Sequence, residues 1–173
     1  MSNRFLIDKI TNSIEASKDG KSHLTEVLAV SEQEIKGVHK KDGWLFNWKQ
    51  EFKKADRSVY KLVIMGETQI QGLICLQPME NFIEMHLIET APHNFGQAKR
   101  YLGVAGNLVA FACRMSFEMG FDGFVAFTAK TDLIDHYTES LEAELIFNNR
   151  MTISTNPAKN LVNSYYKDYF NGR

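Results

Sequence analysis

Residues that favour β-strands are concentrated in three successive stretches in the middle of the chain. The stretches are residues 58–65, 70–77 and 82–90, and the short polar sequence Gly66 to Gln69 separates the first two. A link of this length is typical of a hairpin. The pattern therefore predicts three strands, the first two of which pair antiparallel.

The period changes to that of a helix after residue 103. Apolar residues then recur at helical spacing, namely Val104, Leu108, Phe111, Ala112, Met115 and Met119. Asn107, Arg114 and Glu118 fall on a separate polar stripe, and Gly120 follows as a residue that ends helices. We expect a helix that is mostly buried, with one exposed edge.

Shorter patterns complete the order of elements. They predict a strand at 23–30, helices at 31–38 and 43–54, a strand at 121–129, a helix at 131–143, a hairpin at 144–155 and a C-terminal helix at 156–170. Asn156 is the expected N-cap of the last helix, with Pro157 in its first position. No repeat or Pro/Gly/Ser-rich linker divides the chain, so we predict one α/β domain over residues 1–173.

Charge and composition exclude few classes of function. The 173 residues include 20 Lys and Arg and 21 Asp and Glu, so a net charge of −1 gives no reason to expect nucleic acid or an anionic membrane as a partner. Charges at Arg4, Asp8 and Lys9 interrupt any signal peptide, and the uncharged run from Tyr101 to Cys113 is too short to span a bilayer. A cytoplasmic location is therefore expected.

Cysteine and histidine residues do not indicate a metal site. Cys75 and Cys113 both lie in apolar sequence and are expected as buried free thiols. The five histidines show no Cys/His spacing suited to zinc, so we predict no metal.

The sequence RYLGVAG, residues 100–106, places small residues at the start of the buried helix. Gly103, Ala105 and Gly106 would let an anion approach the unpaired N–H groups of the helix N-terminus, and Arg100 adds a guanidinium suited to phosphate oxygens. The alternative is that the glycines serve only a tight turn and close helix packing. The residues alone leave both interpretations open.

Arg100-x-x-Gly103-x-Ala105 resembles the signature of the GNAT N-acetyltransferase superfamily, which holds the pyrophosphate of acetyl-CoA. The order of predicted elements from about residue 58 to 155 is similar to the GNAT order as well. The resemblance implies a mixed, mostly antiparallel sheet flanked by helices, with a splayed strand pair at the cofactor site. Residues 1–57 would then be a variable N-terminal part, 58–155 the core and 156–173 a C-terminal helix.

The resemblance also implies a set of cofactor-binding residues. The pyrophosphate loop would comprise Arg100, Tyr101, Leu102, Gly103, Val104, Ala105 and Gly106. Backbone groups of Ile88, Glu89 and Thr90 would pair with the pantetheine arm. Thr131 lies near where the family places a further cofactor contact, although it is equally suited to cap a helix. Two departures are the longer link at 92–100 and the lack of a Gly-Phe pair soon after Tyr137.

Acetyl transfer to an amine requires a base, because an amine with a pKa near 10 is almost fully protonated at neutral pH. Alternation puts Glu84, His86, Ile88 and Thr90 on one face of the third strand, with the first two roughly 7 Å apart along it. Glu84 matches the strand position of the glutamate base in several GNAT enzymes, and His86 is a local substitute. The alternative is an ordinary solvated strand face.

Tyr137 resembles the tyrosine that many GNAT enzymes place near the thioether sulfur, where its hydroxyl can protonate the departing thiolate. It also shares a helical stripe with Ile134 and Leu141, so burial in the core would explain it too.

Three classes of function remain open. The first is direct acetyl transfer from acetyl-CoA to an amine on a small molecule or a protein. The others are a catalytically inactive CoA-binding domain and a protein-interaction domain. Trp44, Phe46 and Trp48 could line an acceptor pocket or belong to the core. The aromatic C-terminal helix could pack on the sheet or form a homodimer surface.

Overall fold

The computed structural model of the chain describes residues 5–172. Its strands are β1 (Ile14–Ala16), β2 (Ser22–His23), β3 (Thr25–Ala29), β4 (Ser58–Ile64), β5 (Gly72–Pro78), β6 (Ile83–Thr90), β7 (Tyr101–Leu102), β8 (Val125–Thr128), β9 (Glu144–Phe147) and β10 (Arg150–Ile153). Its α-helices are α1 (Glu32–Lys36), α2 (Trp48–Phe52), α3 (Val104–Glu118), α4 (Ile134–Leu141) and α5 (Thr155–Tyr165).

The main sheet has seven strands in the order β3-β4-β5-β6-β8-β10-β9. Neighbouring strands are antiparallel except for β6 and β8, which run parallel. The predicted β4–β5 hairpin and the β9–β10 hairpin are both present. The predicted fold class, a mixed and mostly antiparallel sheet flanked by helices, is confirmed.

Helices α3 and α5 cover one face of the sheet. Leu108 and Val109 of α3 are fully buried and share one hydrophobic cluster with side chains of β5 and β6. Gly120 has φ +80°, the left-handed conformation that commonly follows a helix end, so its predicted role is confirmed. The expectation of an exposed edge is wrong at Asn107, whose buried amide donates to the Ser13 carbonyl and to Thr25 Oγ1.

The opposite face of the sheet is covered by α1, α2 and the chain around them. Trp44 and Trp48 are buried there against Leu73 and Leu87, which favours the core alternative for both tryptophans. Helix α1 begins with a capping box, in which Ser31 Oγ accepts from Glu34 N–H and the Glu34 carboxylate accepts from Ser31 N–H. Local sequence therefore determines the start of α1, and packing on the sheet holds it.

The two cysteines are buried free thiols, as expected. Burial raises the pKa of Cys75 and of Cys113 because it disfavours the charged thiolate. Both therefore stay protonated at neutral pH.

A second sheet of three short strands, in the order β2-β1-β7, was not predicted. Strand β1 pairs antiparallel with β7, with Glu15 opposite Leu102. Strands of two or three residues are too short to show an alternation. In addition, β7, one of the two partners of β1, lies far along the sequence. This sheet attaches the N-terminal chain to the RYLGVAG sequence.

Some element boundaries differ from the predictions. Helix α5 has Ser154 as its N-cap, so the predicted N-cap at Asn156 is wrong and Pro157 is the third helical residue. Proline is tolerated there because N–H groups of the first turn have no intrahelical partner. The predicted helix at 43–54 is α-helical only over α2. Among residues 5–172, no helix is both long and apolar enough to cross a membrane.

Candidate active site

A cleft opens in the main sheet where its two parallel strands separate. Strands β6 and β8 pair only at Ile83 with Val125 and at Glu84 with Ala126. Beyond these pairs β6 continues to Thr90 and β8 to Thr128 with no further pairing between them. The splayed strand pair implied by the sequence resemblance is therefore present.

A β-bulge lies in β6 beside this cleft. Leu76 pairs with Met85 and the adjacent Cys75 pairs with Leu87, so His86 is an extra residue in the strand. A bulge reverses the phase of the residues that follow it. The predicted alternation is consequently wrong beyond His86, because Ile88 packs on the α3 face whereas Glu84 and His86 face the opposite side.

Glu84 is held by an arginine at the start of the cleft. Its two carboxylate oxygens accept hydrogen bonds of 2.7 and 2.6 Å from the two terminal nitrogens of Arg150. Arg150 also donates to Thr128 Oγ1 across 3.0 Å, and the Glu84 carboxylate raises the pKa of the guanidinium. For Glu84 to accept a proton, part of this bidentate pair must break.

His86 is half-buried, and its Nε2 lies 2.8 Å from Gln77 Oε1. Burial lowers the pKa of His86 from its ordinary value, and the positive charge of Arg57 lowers it further. The imidazole is therefore neutral at pH 7. When Nε2 donates its hydrogen bond to the Gln77 oxygen, Nδ1 carries the lone pair. His86 can thus accept a proton without first losing a salt bridge.

Tyr137 belongs to the core, which is one of the two interpretations that the sequence left open. Its ring is fully buried and packs against Phe127 of β8, with ring centroids 5.4 Å apart. Its hydroxyl donates a 2.6 Å hydrogen bond to the carbonyl of Phe5, whose ring stacks on it at 4.6 Å. The N-terminal chain therefore lies against the tyrosine that faces the β8 side of the cleft.

The N-terminus of α3 is covered by the same N-terminal chain. Gly103 has φ +89°, and a Cβ atom added there would collide with Thr11 Oγ1. The Gly103 N–H donates to Asp8 Oδ1 across 3.0 Å, and Asp8 Oδ2 forms a 3.1 Å ion pair with Lys99. A Cβ atom on Gly106 would collide with the hydroxyl of Tyr165. Both glycines leave room for other parts of this chain.

The other predicted cofactor-binding residues of this loop, and Thr131, lie in β7, at the start of α3 and before α4. Tyr101 and Leu102 form β7, Val104 and Ala105 are buried in the first turn of α3, and the side chain of Arg100 is exposed. The Arg100 carbonyl accepts from Ser17 N–H at 2.8 Å. Thr131 lies in the turn before α4, where its hydroxyl accepts from the Asn149 amide at 2.9 Å.

The C-terminal end of β6 is tied to the chain before α2. The buried carboxylate of Glu89 accepts from Leu45 N–H at 2.6 Å, from Phe46 N–H at 3.3 Å and from Trp48 Nε1 at 2.7 Å. A cavity of about 280 Å³ opens beside it, lined by Ile88, Thr90, Leu45, Phe46, Phe95 and Lys99 among others. Phe46 thus borders a cavity, whereas the two nearby tryptophans are core residues.

Sequence reasoning did not identify Asp8, Gln77 or Arg150 as residues of this region. Asp8 is 95 residues from its partner Gly103, and Arg150 is 66 residues from Glu84. No local motif marks such contacts. Gln77 lies only nine residues before His86, but the pairing of β5 with β6 that joins them was not predicted. No cluster of three or more His, Cys, Asp or Glu residues within 5–172 could hold a metal ion.

The splayed strands β6 and β8, with helix α3 and its N-cap Gly103 beside them, define a GNAT-type α/β fold. Solved structures share this fold. One is an acetyltransferase from Bacillus subtilis in complex with CoA, with a TM-score of 0.50, 12% identity, and coverage of 77% of this chain and 99% of that chain. Another is the spermidine/spermine N-acetyltransferase SpeG from Vibrio cholerae, with a TM-score of 0.50, 14% identity, and coverage of 79% and 96%.

Neither protein-family models nor curated protein sequences gave a match. The chain has the fold of the GNAT superfamily, and the resemblance found in its sequence is confirmed at the level of the fold.

Proposed function

We propose that this chain is an N-acetyltransferase that transfers an acetyl group from acetyl-CoA to a primary amine within a ternary complex. The observation that carries the proposal is the cleft between β6 and β8, which opens after two residue pairs and lies beside His86. The neighbouring fold from Bacillus subtilis is named as an acetyltransferase in complex with CoA. The Vibrio cholerae neighbour is named for spermidine and spermine, which are amines.

The chain's own contacts support an anion at the N-terminus of α3. The Gly103 N–H already holds one anionic group, the carboxylate of Asp8. A phosphate oxygen has the same hydrogen-bonding chemistry, and a helix N-terminus favours negative charge. In the proposed complex, residues 100–106 hold the pyrophosphate of the cofactor. The backbone of Ile88, Glu89 and Thr90 lines its pantetheine arm. Acetyl-CoA supplies the thioester whose acetyl group is transferred.

His86 is the proposed proton acceptor. It is neutral at pH 7, and its Nδ1 is free of the hydrogen bond that holds Nε2 to Gln77. It takes one proton of the incoming ammonium group, directly or through a water molecule, and releases it to solvent, so that the nitrogen lone pair can attack the thioester carbonyl. The N–C bond then forms and the C–S bond breaks, and the second proton lost by the nitrogen replaces, through water, the proton that Tyr137 gives to the sulfur. Glu84 stays paired with Arg150, so it is not the group that takes the proton.

Tyr137 is the proposed proton donor to the departing thiolate. Its ring packs on Phe127 of β8, and its hydroxyl donates to the Phe5 carbonyl. Turning from this carbonyl to the sulfur keeps the ring in its packed position against Phe127. Protonation of the sulfur makes CoA a stable leaving group.

A second candidate is a catalytically inactive CoA-binding or protein-interaction domain of the same fold. It is favoured by one observation: Glu84, Tyr137 and the Gly103 N–H are all bonded to other groups of this chain. An enzyme must release at least the last two during its cycle.

Calorimetric titration of acetyl-CoA tests cofactor binding. The native chain and an Asp8→Ala variant, which frees the α3 terminus, are compared with Gly103→Glu and Gly66→Glu. The two glycines have similar φ values of +89° and +84°, and Gly66 has open space around it. We expect loss of binding in Gly103→Glu only. Absence of binding by both the native chain and Asp8→Ala at millimolar acetyl-CoA contradicts the proposal.

Release of CoA in the presence of spermidine or a lysine-containing peptide separates the enzyme from the inactive domain. A thiol reagent can follow the released CoA, because Cys75 and Cys113 are buried and protonated.

Tyr137→Phe should lower turnover by about a hundredfold while cofactor binding is kept. The native rate should fall on an acid limb below pH 6.5, which His86→Gln removes. Tight cofactor binding with no release for any amine supports the inactive domain.

A further inference from the structure

Residues 5–11, which we call the N-terminal strap, run along the cleft from Tyr137 to the N-terminus of α3. We propose that the strap and the cofactor exclude each other, so that the strap is a built-in inhibitor of cofactor binding. This inference rests on the proposed function, because it assigns CoA to the same cleft. It adds a closed state in which the cofactor groups of the site are occupied by the chain itself.

The first contact of the strap is with the proposed proton donor. The Phe5 carbonyl accepts the hydrogen bond of the Tyr137 hydroxyl, and the Phe5 ring packs against both Tyr137 and Phe127, with centroids 4.6 and 6.0 Å away. Ile7 N–H donates to His136 Nε2 at 3.0 Å, on the same helix. While these contacts persist, the hydroxyl cannot reach a sulfur atom.

The second contact is with the proposed pyrophosphate site. Asp8 supplies a carboxylate oxygen to the Gly103 N–H and a second oxygen to Lys99. Thr11 lies directly over Gly103, where its hydroxyl donates to the Ser13 carbonyl. A carboxylate and a phosphate compete for the same N–H donor and the same ammonium group. Binding of the phosphate therefore requires Asp8 to leave.

The strap can leave without disrupting either sheet. Every hydrogen bond described between residues 5–11 and the rest of the chain involves at least one side chain. The firm attachment begins at Ser13, whose carbonyl accepts from Asn107, and continues in β1, which is paired with β2 and β7. Asn12 and Ser13 thus mark the point about which the strap would open.

The closed state is held by both packing and charge. Phe5 and Ile7 are buried with exposures of 6% and 8%, so release of the strap exposes apolar surface unless a ligand replaces it. The charge-assisted contacts of Asp8 add to this. Loosening either contact should therefore tighten binding of CoA while it lowers the stability of the fold. A merely structural residue would lower stability without improving affinity.

The test is calorimetric titration of CoA into the full-length native chain, Asp8→Ala and Asp19→Ala. Asp19 is exposed and accepts only from the nearby Lys21 N–H among its described contacts, so it controls for the loss of one negative charge. Asp8→Ala should bind CoA about tenfold more tightly than the native chain. Asp19→Ala should match the native chain.

Hydrogen exchange gives a second readout on the native chain. The amides of Ile7 and Thr11 are bonded in the closed state. Saturation with CoA should accelerate their exchange while amides of β4 and β5 keep their protection.

The possible outcomes separate the two proposals. If CoA binds and the strap amides stay protected, or if Asp8→Ala binds more weakly or equally, the strap is not a competitor and only the proposed function stands. If CoA binds Asp8→Ala more tightly and the amides open, both proposals stand. If neither chain binds CoA at millimolar concentration, the proposed function fails, and competition with the cofactor is overturned with it.

Discussion

The strap and helix α3 contribute side chains to the same hydrophobic cluster, yet their backbones are held in different ways. Leu108 of α3 is fully buried within a regular fifteen-residue helix that packs on the sheet. Phe5 of the strap is buried nearly as well, but within residues 5–172 its one described backbone hydrogen bond comes from the Tyr137 hydroxyl. Two side chains that are equally buried can therefore belong to backbones that are held with different strength. The more weakly held segment, the strap, lies along the cleft.

Truncating one large side chain in each region tests this difference, and it should give the largest change in the free energy of unfolding. Leu108→Ala should lower the free energy of unfolding by about 3 kcal/mol, because α3 cannot move to fill the cavity. Phe5→Ala should cost about 1 kcal/mol, because its loss is limited by the free energy of opening the strap. Urea unfolding followed by the fluorescence of the buried Trp44 and Trp48 measures both. Equal losses would show that the strap is part of the fixed core.

Removal of the Glu89 carboxylate tests a third way of holding the chain, by buried side-chain hydrogen bonds. Glu89→Ala leaves three donors without their acceptor, namely the N–H groups of Leu45 and Phe46 and the Trp48 indole. We expect a loss of about 2 kcal/mol in urea unfolding. Glu89→Gln keeps one acceptor oxygen and should lose about half as much. If the Ala and Gln variants were equally stable, the three hydrogen bonds would contribute little.

A glycine comparison measures how closely the strap covers α3. Gly103→Ala places a methyl group against Thr11 in a left-handed conformation, whereas Gly66→Ala adopts a similar φ in open space. Both should lose about 1 kcal/mol for the conformation. Gly103→Ala should lose more only if the strap resists displacement. Identical thermal unfolding of the two variants would indicate a strap that moves aside freely.

The smallest expected effect is on the pH dependence of stability, which arises from His86 in the sheet and not from the strap. The pKa of His86 is lowered in the fold, so the unfolded chain takes up the proton first and stability falls as the pH drops below about 6.5. His93 has a lowered pKa as well and contributes in the same direction. His86→Gln should reduce the slope of stability against pH between 7.5 and 5.5.

Phe5→Ala is the matched comparison for this slope. It changes the strap and leaves His86 beside Arg57, Glu51, Asp56 and Glu84, the charged groups that act on it. Its slope should equal that of the native chain. A change in slope as large as that of His86→Gln would mean that the strap also controls the surroundings of the histidine.

Much of the fold from β4 onward could be predicted because its signals are local. Runs of β-rich residues identified β4, β5 and β6, and a period of 3.6 residues identified α3. The positive φ of Gly120 agrees with its predicted place after α3. The motif around Gly103 also pointed to the correct fold.

The positions of most site contacts could not be predicted, because long-range pairing decides them. The bulge at His86 depends on the register between β5 and β6, and it changes the face on which Ile88 lies. Arg150 reaches Glu84 only because β10 and β6 flank β8. Neither relation leaves a periodic trace in the local sequence.

The glycines of RYLGVAG separate what the local sequence determines from what the tertiary structure determines. The sequence by itself determined that small residues stand at the start of a buried helix, since helix periodicity and the Cβ of each residue are local properties. Only the tertiary structure decided what lies against them: Thr11 and Asp8 at Gly103, and Tyr165 at Gly106. These neighbours come from opposite ends of the chain, and their approach depends on the whole fold closing around α3.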